Sequence, residues 1–504
     1  MSRESTVLAV ISFMIVGTFG ILYLLLPPGL FLLCALTGIG ASLCSLVPVV
    51  STRLRDRPTV IRLGFLSFLF VLIIPGAYAW LRADSAVSVI PVFSIVLLVA
   101  LAFVFYYYSL FLPLALLSLR ARSRGAASEI NLDPDTSFPR LTIVVPAYNE
   151  ESCIGASIDA LKRTAYPDGR KEIIVVDDGS TDATYDVAME HADETVAVLQ
   201  KQNGGKHTAL NYGLARATGE IVVTVDADSL LASASLLRIV ASFQNAPEVG
   251  AVAGDLRVIN RGRLLTELQE LEYIIGIQLF RQALDRMATV VVIPGAFGAY
   301  RRSILEDVGR FDGDTLTEDR DATVKILKAG YETRAIDAIC YTEAPETWMD
   351  LYNQRLRWYR GSVQTLLKHR DVFRRPDFGF LHSFAFPIEL LSTVFVPIAG
   401  IVIVISIGLE LLFGSVVRVV TLFSFFALLQ VLIALLAVRA SRNDLRLIVL
   451  GPLFVIGYRQ FLDVVMLKSL FDVLSNRELS WTSPRRTGRL GEPTTRSEAE
   501  PDTD

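Results

Sequence analysis

Within five residues, Gln354-Arg355-Leu356-Arg357-Trp358 sets a carboxamide, two guanidiniums and an indole. Guanidinium groups fork onto phosphate or carboxylate oxygens, and an indole offers a flat apolar face. Upstream, Thr317-Glu318-Asp319 supplies a carboxylate pair with a candidate proton acceptor. Asp226-Ala227-Asp228 suits a hard divalent cation, because two carboxylates and substrate phosphates together complete an octahedron around Mg2+ or Mn2+. Paired Asp residues in loops are also common turn formers. Lys206, in Gly204-Gly205-Lys206-His207, reads either as a solvated surface charge or as a reach towards a diphosphate. Asp177-Asp178-Gly179-Ser180 tips the balance: two acidic strand ends in one sheet repel unless a cation or a hydrogen-bonding ligand compensates.

These groups need a scaffold, and the pattern around them describes one. Leu141-Thr-Ile-Val-Val-Pro146, Glu172-Ile-Ile-Val-Val176 and Glu220-Ile-Val-Val-Thr-Val225 are short β-branched runs, separated by helical stretches. Strand–helix alternation predicts an α/β domain with a mainly parallel sheet, and polar residues gather after each strand, where open sheets bind ligands.

The 504 residues are 52% hydrophobic with a mean hydropathy of +0.46, too apolar for an ordinary soluble enzyme. The net charge of −4 argues against a nucleic-acid partner. The four cysteines show no CxxC spacing and read as packing residues. Apolar segments near 7–27, 30–50, 60–81 and 88–118 precede the polar middle, and others near 384–413, 417–438 and 447–475 follow it. The last carries Tyr458, Arg459, Gln460 and Asp463 near its centre, which is costly in lipid and predicts a broken or re-entrant element lining a polar cavity. Arg53, Arg55 and Arg57, then Arg120, Arg122 and Arg124, then Arg439, Arg442 and Arg446 fall on one side of these spans, which orients the middle to the cytoplasm of a plasma-membrane protein. The expected organisation is a membrane region over 1–120, a globular domain over 138–345, interfacial helices over 346–380, a second membrane region over 381–475 and a cytoplasmic tail over 476–504.

Five motifs in this order, Val145-Pro146-Ala147-Tyr148-Asn149-Glu150, Asp177-Asp178-Gly179-Ser180, Asp226-Ala227-Asp228, Thr317-Glu318-Asp319 and Gln354-Arg355-Leu356-Arg357-Trp358, make the chain resemble the membrane-embedded processive family 2 glycosyltransferases. Cellulose, chitin, hyaluronan and poly-N-acetylglucosamine synthases share that order, over a GT-A type domain. The resemblance implies that Pro146, Tyr148, Glu150 and Asp177 hold the nucleotide of a UDP-sugar. It implies that Asp226 and Asp228 hold Mg2+ or Mn2+ and the diphosphate with Lys206, and that Asp319 is the general base. Gln354 and Arg357 are then expected at the diphosphate or acceptor end, with Trp358, Glu318 and the turn at Gly295 around the acceptor sugar. Trp481 and Arg485 are similar to a cytoplasmic gating segment of hyaluronan synthases. Ala344-Pro345-Glu346-Thr347 and Pro387-Ile388-Glu389 are similar to the poly-β-1,6-N-acetylglucosamine branch.

The implied activity is a processive, inverting transfer of a sugar, N-acetylglucosamine foremost, from a UDP-sugar to a β-linked polysaccharide that passes through the bilayer, with room for a small accessory membrane subunit. Non-processive glycosylation of a lipid carrier and a non-catalytic transport subunit are the competing readings. Individual groups keep plainer alternatives. Glu318 caps or orients, Trp358 anchors at the membrane surface, Arg355 and Arg360 are structural or face lipid headgroups, Glu389 sits at an interface, and the four histidines are polar surface or helix residues rather than ligands.

Overall fold

The computed structural model describes residues 14, 28–50, 58–81, 96, 98–111, 113–114, 138–413, 416–441 and 443–477. Most of the first apolar segment and the expected gating residues Trp481 and Arg485 lie outside the described residues.

Eight strands form one sheet: β1 Leu141–Ala147, β2 Lys171–Asp177, β3 Val196–Gln200, β4 Ile221–Val225, β5 Ser229–Leu231, β6 Val249–Val258, β7 Phe297–Arg301 and β8 Glu332–Thr342, in the order β3-β2-β1-β4-β7-β6-β8-β5. The pairings β1–β2, β1–β4, β2–β3 and β6–β8 are parallel, whereas β7 runs against both β4 and β6, and β5 against β8. The sheet is thus mixed, mostly parallel. Its period of two is visible in β1: Ile143 and Val145 pack into the core on one face with Ile158 and Leu161, while Val144 packs on the other with Leu210 and Leu214. That second face is continuous with the apolar helices, since the same cluster reaches Phe105, Leu110 and Phe384.

Among the described residues, five helices are long and apolar enough to cross a membrane: Gly29–Leu46, Thr59–Tyr78, Leu381–Phe413, Val419–Arg439 and Leu445–Leu474, with a shorter apolar helix at Leu98–Phe111. The last is broken. Ile456 has φ −108° and ψ 120°, and Gly457 has φ 88°. Gln460 heals the break with its own side chain, accepting from the Gly457 amide at 2.7 Å and donating to the Val455 carbonyl at 2.9 Å.

Two expectations are corrected here. Arg355 and Arg360 are not at lipid headgroups; both are buried, Arg355 against Glu272 and Arg360 against Asp472. Of the surface and helix readings of the histidines, only the surface one fails, for the buried His369 and His382, the latter within the helix Leu381–Ala385: His369 Nε2 lies 2.8 Å from the Asp321 carboxylate, and His382 Nδ1 lies 2.7 Å from the Val372 carbonyl. Buried imidazoles need polar partners, and residues 48 and 10 positions away supply them.

Candidate active site

The C-terminal ends of β1, β2 and β4 meet at one edge of the sheet. The loop after β1 is pinned to the loop after β2: the Asn149 amide donates to Ser180 Oγ at 2.9 Å, and its side-chain oxygen accepts from the Thr181 amide at 2.9 Å. This places Pro146, Tyr148 and Glu150 on the wall of a cavity of ≈ 1640 Å³. The two acids that end β2 separate. Asp177 is fully buried, accepting from Gln200 Nε2 at 3.1 Å and from the Ser180 amide at 3.3 Å. Asp178 faces the cavity and is held by Lys201 at 2.5 Å and the Gly205 amide at 2.8 Å.

At the end of β4, Asp226 and Asp228 line the same cavity, and so does Lys206 from the start of the helix Lys206–Leu214. Lys206 Nζ lies 2.5 Å from Asp226 Oδ1 and 3.9 Å from Glu318 Oε1. Burial disfavours its charge, but Asp226, Glu318 and Asp319 outweigh burial and hold the ammonium above the usual lysine range. Two carboxylates from one strand end, beside a cation, form a donor set that fits a hard divalent ion and a diphosphate together. A second acidic group, Asp312, Asp314 and Asp321, lies elsewhere. It is engaged by Lys368, whose Nζ is 2.7–2.8 Å from all three carboxylates.

Thr317-Glu318-Asp319 opens the helix Glu318–Lys328. Asp319 is fixed by two backbone donors, the Gly295 amide on Oδ2 at 2.8 Å and the Arg320 amide on Oδ1 at 2.7 Å. Thr323 ties the same helix to the turn before Gly295, donating to the Asp319 carbonyl at 2.7 Å and accepting from the Ile293 amide at 3.0 Å. A side chain at Gly295 would put Cβ 2.9 Å from Lys206 Nζ, which would have to shift, and 3.5 Å from Asp319 Oδ2, an ordinary contact, so glycine here keeps room for the ammonium. Burial pushes Glu318 up to about 7, against the opposing pull of Lys206.

The helix Trp348–Lys368 closes the cavity. Thr347 caps it, accepting from the Asp350 amide at 3.1 Å. Positions i, i+3 and i+4 bring Gln354, Arg357 and Trp358 onto the cavity face, while Arg355 turns inward. There Arg355 forks onto Glu272 at 3.2 and 2.7 Å, donates to Gln354 Oε1, and lies 4.2 Å under the Trp358 ring. Gly361 lets this helix approach the Thr317-Glu318-Asp319 turn, since a Cβ there would sit 2.5 Å from the Thr317 side chain.

The structure therefore brings Pro146, Tyr148, Glu150, Lys206, Asp226, Asp228, Gly295, Glu318, Asp319, Gln354, Arg357 and Trp358 to one cavity and leaves Asp177 behind its wall. The sequence reading passed over Asp178 as a site residue, and it missed Glu272 and Glu343, which also line the cavity. Asp178 was legible as the second acid of its motif; Glu272 and Glu343 carry no local signal. The cavity continues between the apolar helices, past Tyr107, Ile403 and Gln430.

Residues 139–361 match the family model described as Glycosyltransferase like family 2, and residues 314–489 match the model described as Chitin synthase. Among curated relatives, the chain is 29% identical over 365 residues to the probable glycosyltransferase YdaM of Bacillus subtilis (strain 168), across 69% of this chain and 87% of that protein. It is 31% identical over 250 residues to the poly-beta-1,6-N-acetyl-D-glucosamine synthase of Staphylococcus aureus (strain COL), across 48% of this chain and 60% of the synthase. Among solved structures it is similar to the mannosyltransferase PcManGT from Pyrobaculum calidifontis in complex with GDP-Man and Mn2+, with a TM-score of 0.51 and 25% identity over 73% of this chain and 96% of that one. The acids at the strand ends and the helix that closes over them thus have a lineage: residues 139–361 form a family 2 glycosyltransferase domain, set among candidate membrane helices and related to the chitin and poly-N-acetylglucosamine synthases.

Proposed function

We propose that the enzyme is a processive, inverting β-glycosyltransferase that uses a UDP-sugar, N-acetylglucosamine foremost, and feeds the growing polysaccharide into the membrane. The observation that carries this reading is the continuity of the cavity. One space is lined by Tyr148 and Lys206 at the sheet edge and by Ile403 and Gln430 in the apolar helices. The names of the staphylococcal synthase and of the chitin synthase model favour an N-acetylglucosamine donor. The arginines at 53, 55, 57, 120, 122 and 124 favour a cytoplasmic catalytic domain.

In this reading Pro146, Tyr148 and Glu150 form the nucleotide end, with Asp177 bracing the β2 loop from behind the wall, and Gly295 and Trp358 bracket the acceptor sugar. The acceptor hydroxyl gives its proton to Asp319 as its oxygen bonds to the anomeric carbon. The bond from that carbon to the diphosphate breaks, and its electron pair leaves with the diphosphate. Lys206, Gln354 and Arg357 meet that charge with hydrogen bonds. Asp226 and Asp228 would hold Mg2+ or Mn2+, which when bound neutralises the same diphosphate. Glu318, kept largely protonated up to neutrality by burial, is a poor nucleophile. A single displacement follows, so an α-linked donor gives a β-linked product.

The test is incubation of the purified protein with Mg2+ or Mn2+ and a panel of UDP-N-acetylglucosamine, UDP-glucose, UDP-glucuronate and GDP-mannose, followed by sizing and enzymatic digestion of the product. Polymer from one UDP-sugar is expected. The likeness to a mannosyltransferase bound to GDP-Man favours a second reading, transfer of a single sugar to a membrane acceptor. Single-sugar products from any donor would establish that reading over this one. Asp319→Asn should lower transfer by roughly 10²–10⁴-fold while leaving UDP binding intact; unchanged transfer removes Asp319 as the base.

A further inference from the structure

Three arginines in the cavity have no place in the transfer just described; Arg320 and Arg459 are paired with Glu389 and Asp463, and the third, Arg281, has no ion-pair partner among the described residues. Arg281 belongs to the helix Phe280–Arg286 and is only 9% exposed. Its guanidinium offers five N–H donors, yet among the described residues it makes one hydrogen bond, from Nη1 to the Gly254 carbonyl at 2.8 Å. The nearby Asp255 acts on it electrostatically, but that carboxylate already accepts from Arg257 at 3.2 Å and from Gln278. A guanidinium this little exposed is ordinarily paired within the protein, and no unbonded nitrogen of Arg281 is sealed away from the cavity. The remaining donors of Arg281 open onto the cavity that holds Gly295 and Asp319, and Asp319 lies within its electrostatic reach.

The local backbone accounts for this placement. Tyr273–Leu279 is a π-helical stretch between the α-helices Leu264–Glu272 and Phe280–Arg286. Its wider turn rotates the residues that follow around the axis, a device found at functional sites. The same continuous helix sends Glu272 to Arg355 at 2.7 Å, Tyr273 to within 6.5 Å of Trp358, and Arg281 into the cavity. Phe280, beside it, stacks on Phe111 at 4.6 Å, at the seam between the sheet and the apolar helices. Arg281 therefore reaches the part of the cavity near Asp319 from the seam with the apolar helices, and not from the ends of β1, β2 and β4.

We propose that Arg281 is a specificity-determining residue that holds the acceptor saccharide, donating hydrogen bonds to the hydroxyl or amide oxygens of its terminal sugar. This rests on the transfer reading above. A guanidinium fits that task because its donors are planar and fixed, so it selects a sugar by where its oxygens lie as well as by their charge.

The experiment compares wild type, Arg281→Gln and Arg281→Lys in detergent, with N-acetylglucosamine oligosaccharides as the acceptor probe. Oligosaccharide binding in the presence of UDP is measured calorimetrically, alongside transfer kinetics, donor hydrolysis by water and UDP affinity. Both variants should raise the acceptor KM and the oligosaccharide Kd by at least about tenfold, with UDP affinity and donor hydrolysis within about twofold of wild type. A merely structural arginine would lower UDP affinity, hydrolysis and transfer together, and that parallel loss overturns the assignment. So does a wild-type oligosaccharide affinity retained in both variants. A wild-type protein that binds no oligosaccharide and transfers from no donor overturns the transfer reading itself, and this assignment falls with it.

Discussion

Replacing Arg355 by methionine tests how the motif helix is held. Arg355 is fully buried, and Glu272, 16% exposed, accepts two of its N–H bonds at 3.2 and 2.7 Å. With the guanidinium gone, the described partners leave Glu272 the Tyr458 hydroxyl at 2.5 Å as its donor. Removing one partner of a buried pair costs about 3–5 kcal/mol, and the residual exposure of Glu272 favours the lower half of that range. Loss of the cation 4.2 Å from the Trp358 ring adds up to about 1–2 kcal/mol. The expectation is therefore about 4 kcal/mol, which at roughly 2–4 °C per kcal/mol lowers the thermal midpoint in detergent by about 10 °C.

The double variant Glu272→Met with Arg355→Met removes both charges and leaves two apolar side chains of similar volume, so it should recover more than half of that loss. Static light scattering or tryptophan emission during a slow thermal ramp reads the midpoint. A single variant within about 3 °C of wild type, or a double variant no more stable than the single, would refute the argument that Arg355 is an internal strut. Trp358 supplies a second readout. Since Arg355 lies under the indole and bonds to Gln354, the single variant should weaken acceptor binding more than UDP binding.

Three other outcomes follow from the site. Gly295→Ala places a Cβ 2.9 Å from Lys206 Nζ, so the lysine withdraws from Asp226; kcat should fall by at least about tenfold, up to the ~10²–10³ of losing such a donor, with little change in thermal midpoint. Folded Glu318 keeps its proton up to about pH 7 while the unfolded side chain releases it near 4.5, so its contribution to stability is present below 4.5 and lost as pH rises towards 7; Glu318→Gln should flatten this part of the stability–pH curve, which spans up to about 3 kcal/mol. Chelation with EDTA should abolish transfer and Mn2+ or Mg2+ restore it, whereas Asp226→Asn with Asp228→Asn should give a protein that neither ion restores.

What the sequence made legible is what local patterning encodes. β1, β2 and β4 are uninterrupted β-branched runs, and the structure finds them within a residue or so of the sequence reading. β6, β7 and β8 escaped because Val249–Val258, Phe297–Arg301 and Glu332–Thr342 mix glycine, alanine and charge, and gain their order from pairing partners far away in sequence. The gathering of acids at strand ends was readable, but not which acid of Asp177-Asp178 faces the cavity. That depends on the register of β2 against β1 and β3, which pairs Asp177 with Ala147 and Gln200. The polar centre of the last apolar segment announced a break, and Gly457 with Gln460 provides one. The role of Arg355 was hidden because Glu272 is 83 residues away, and no local pattern reports that pairing.

The boundary between globular domain and membrane helices does not divide the chemistry. Arg320, the neighbour of Asp319, donates to Glu389 in the first apolar helix after the domain at 2.7 Å, and both line the cavity. Glu272, which holds the helix bearing Gln354 and Trp358, also accepts from Tyr458 just beyond the break in the last apolar helix. Arg360, two residues beyond Trp358, faces Asp472 of that same helix at 3.8 Å. The helices bearing Asp319 and Trp358 are thus each tied, directly or through Glu272, to a charged or hydroxyl-bearing residue of an apolar helix. Buried pairs of this kind are poor sources of net stability, because desolvation offsets much of their attraction. They do impose one geometry, since any other leaves a charge unpaired. A change in the spacing of the apolar helices must therefore move the Asp319 helix and the Trp358 helix with them, and the reverse holds equally.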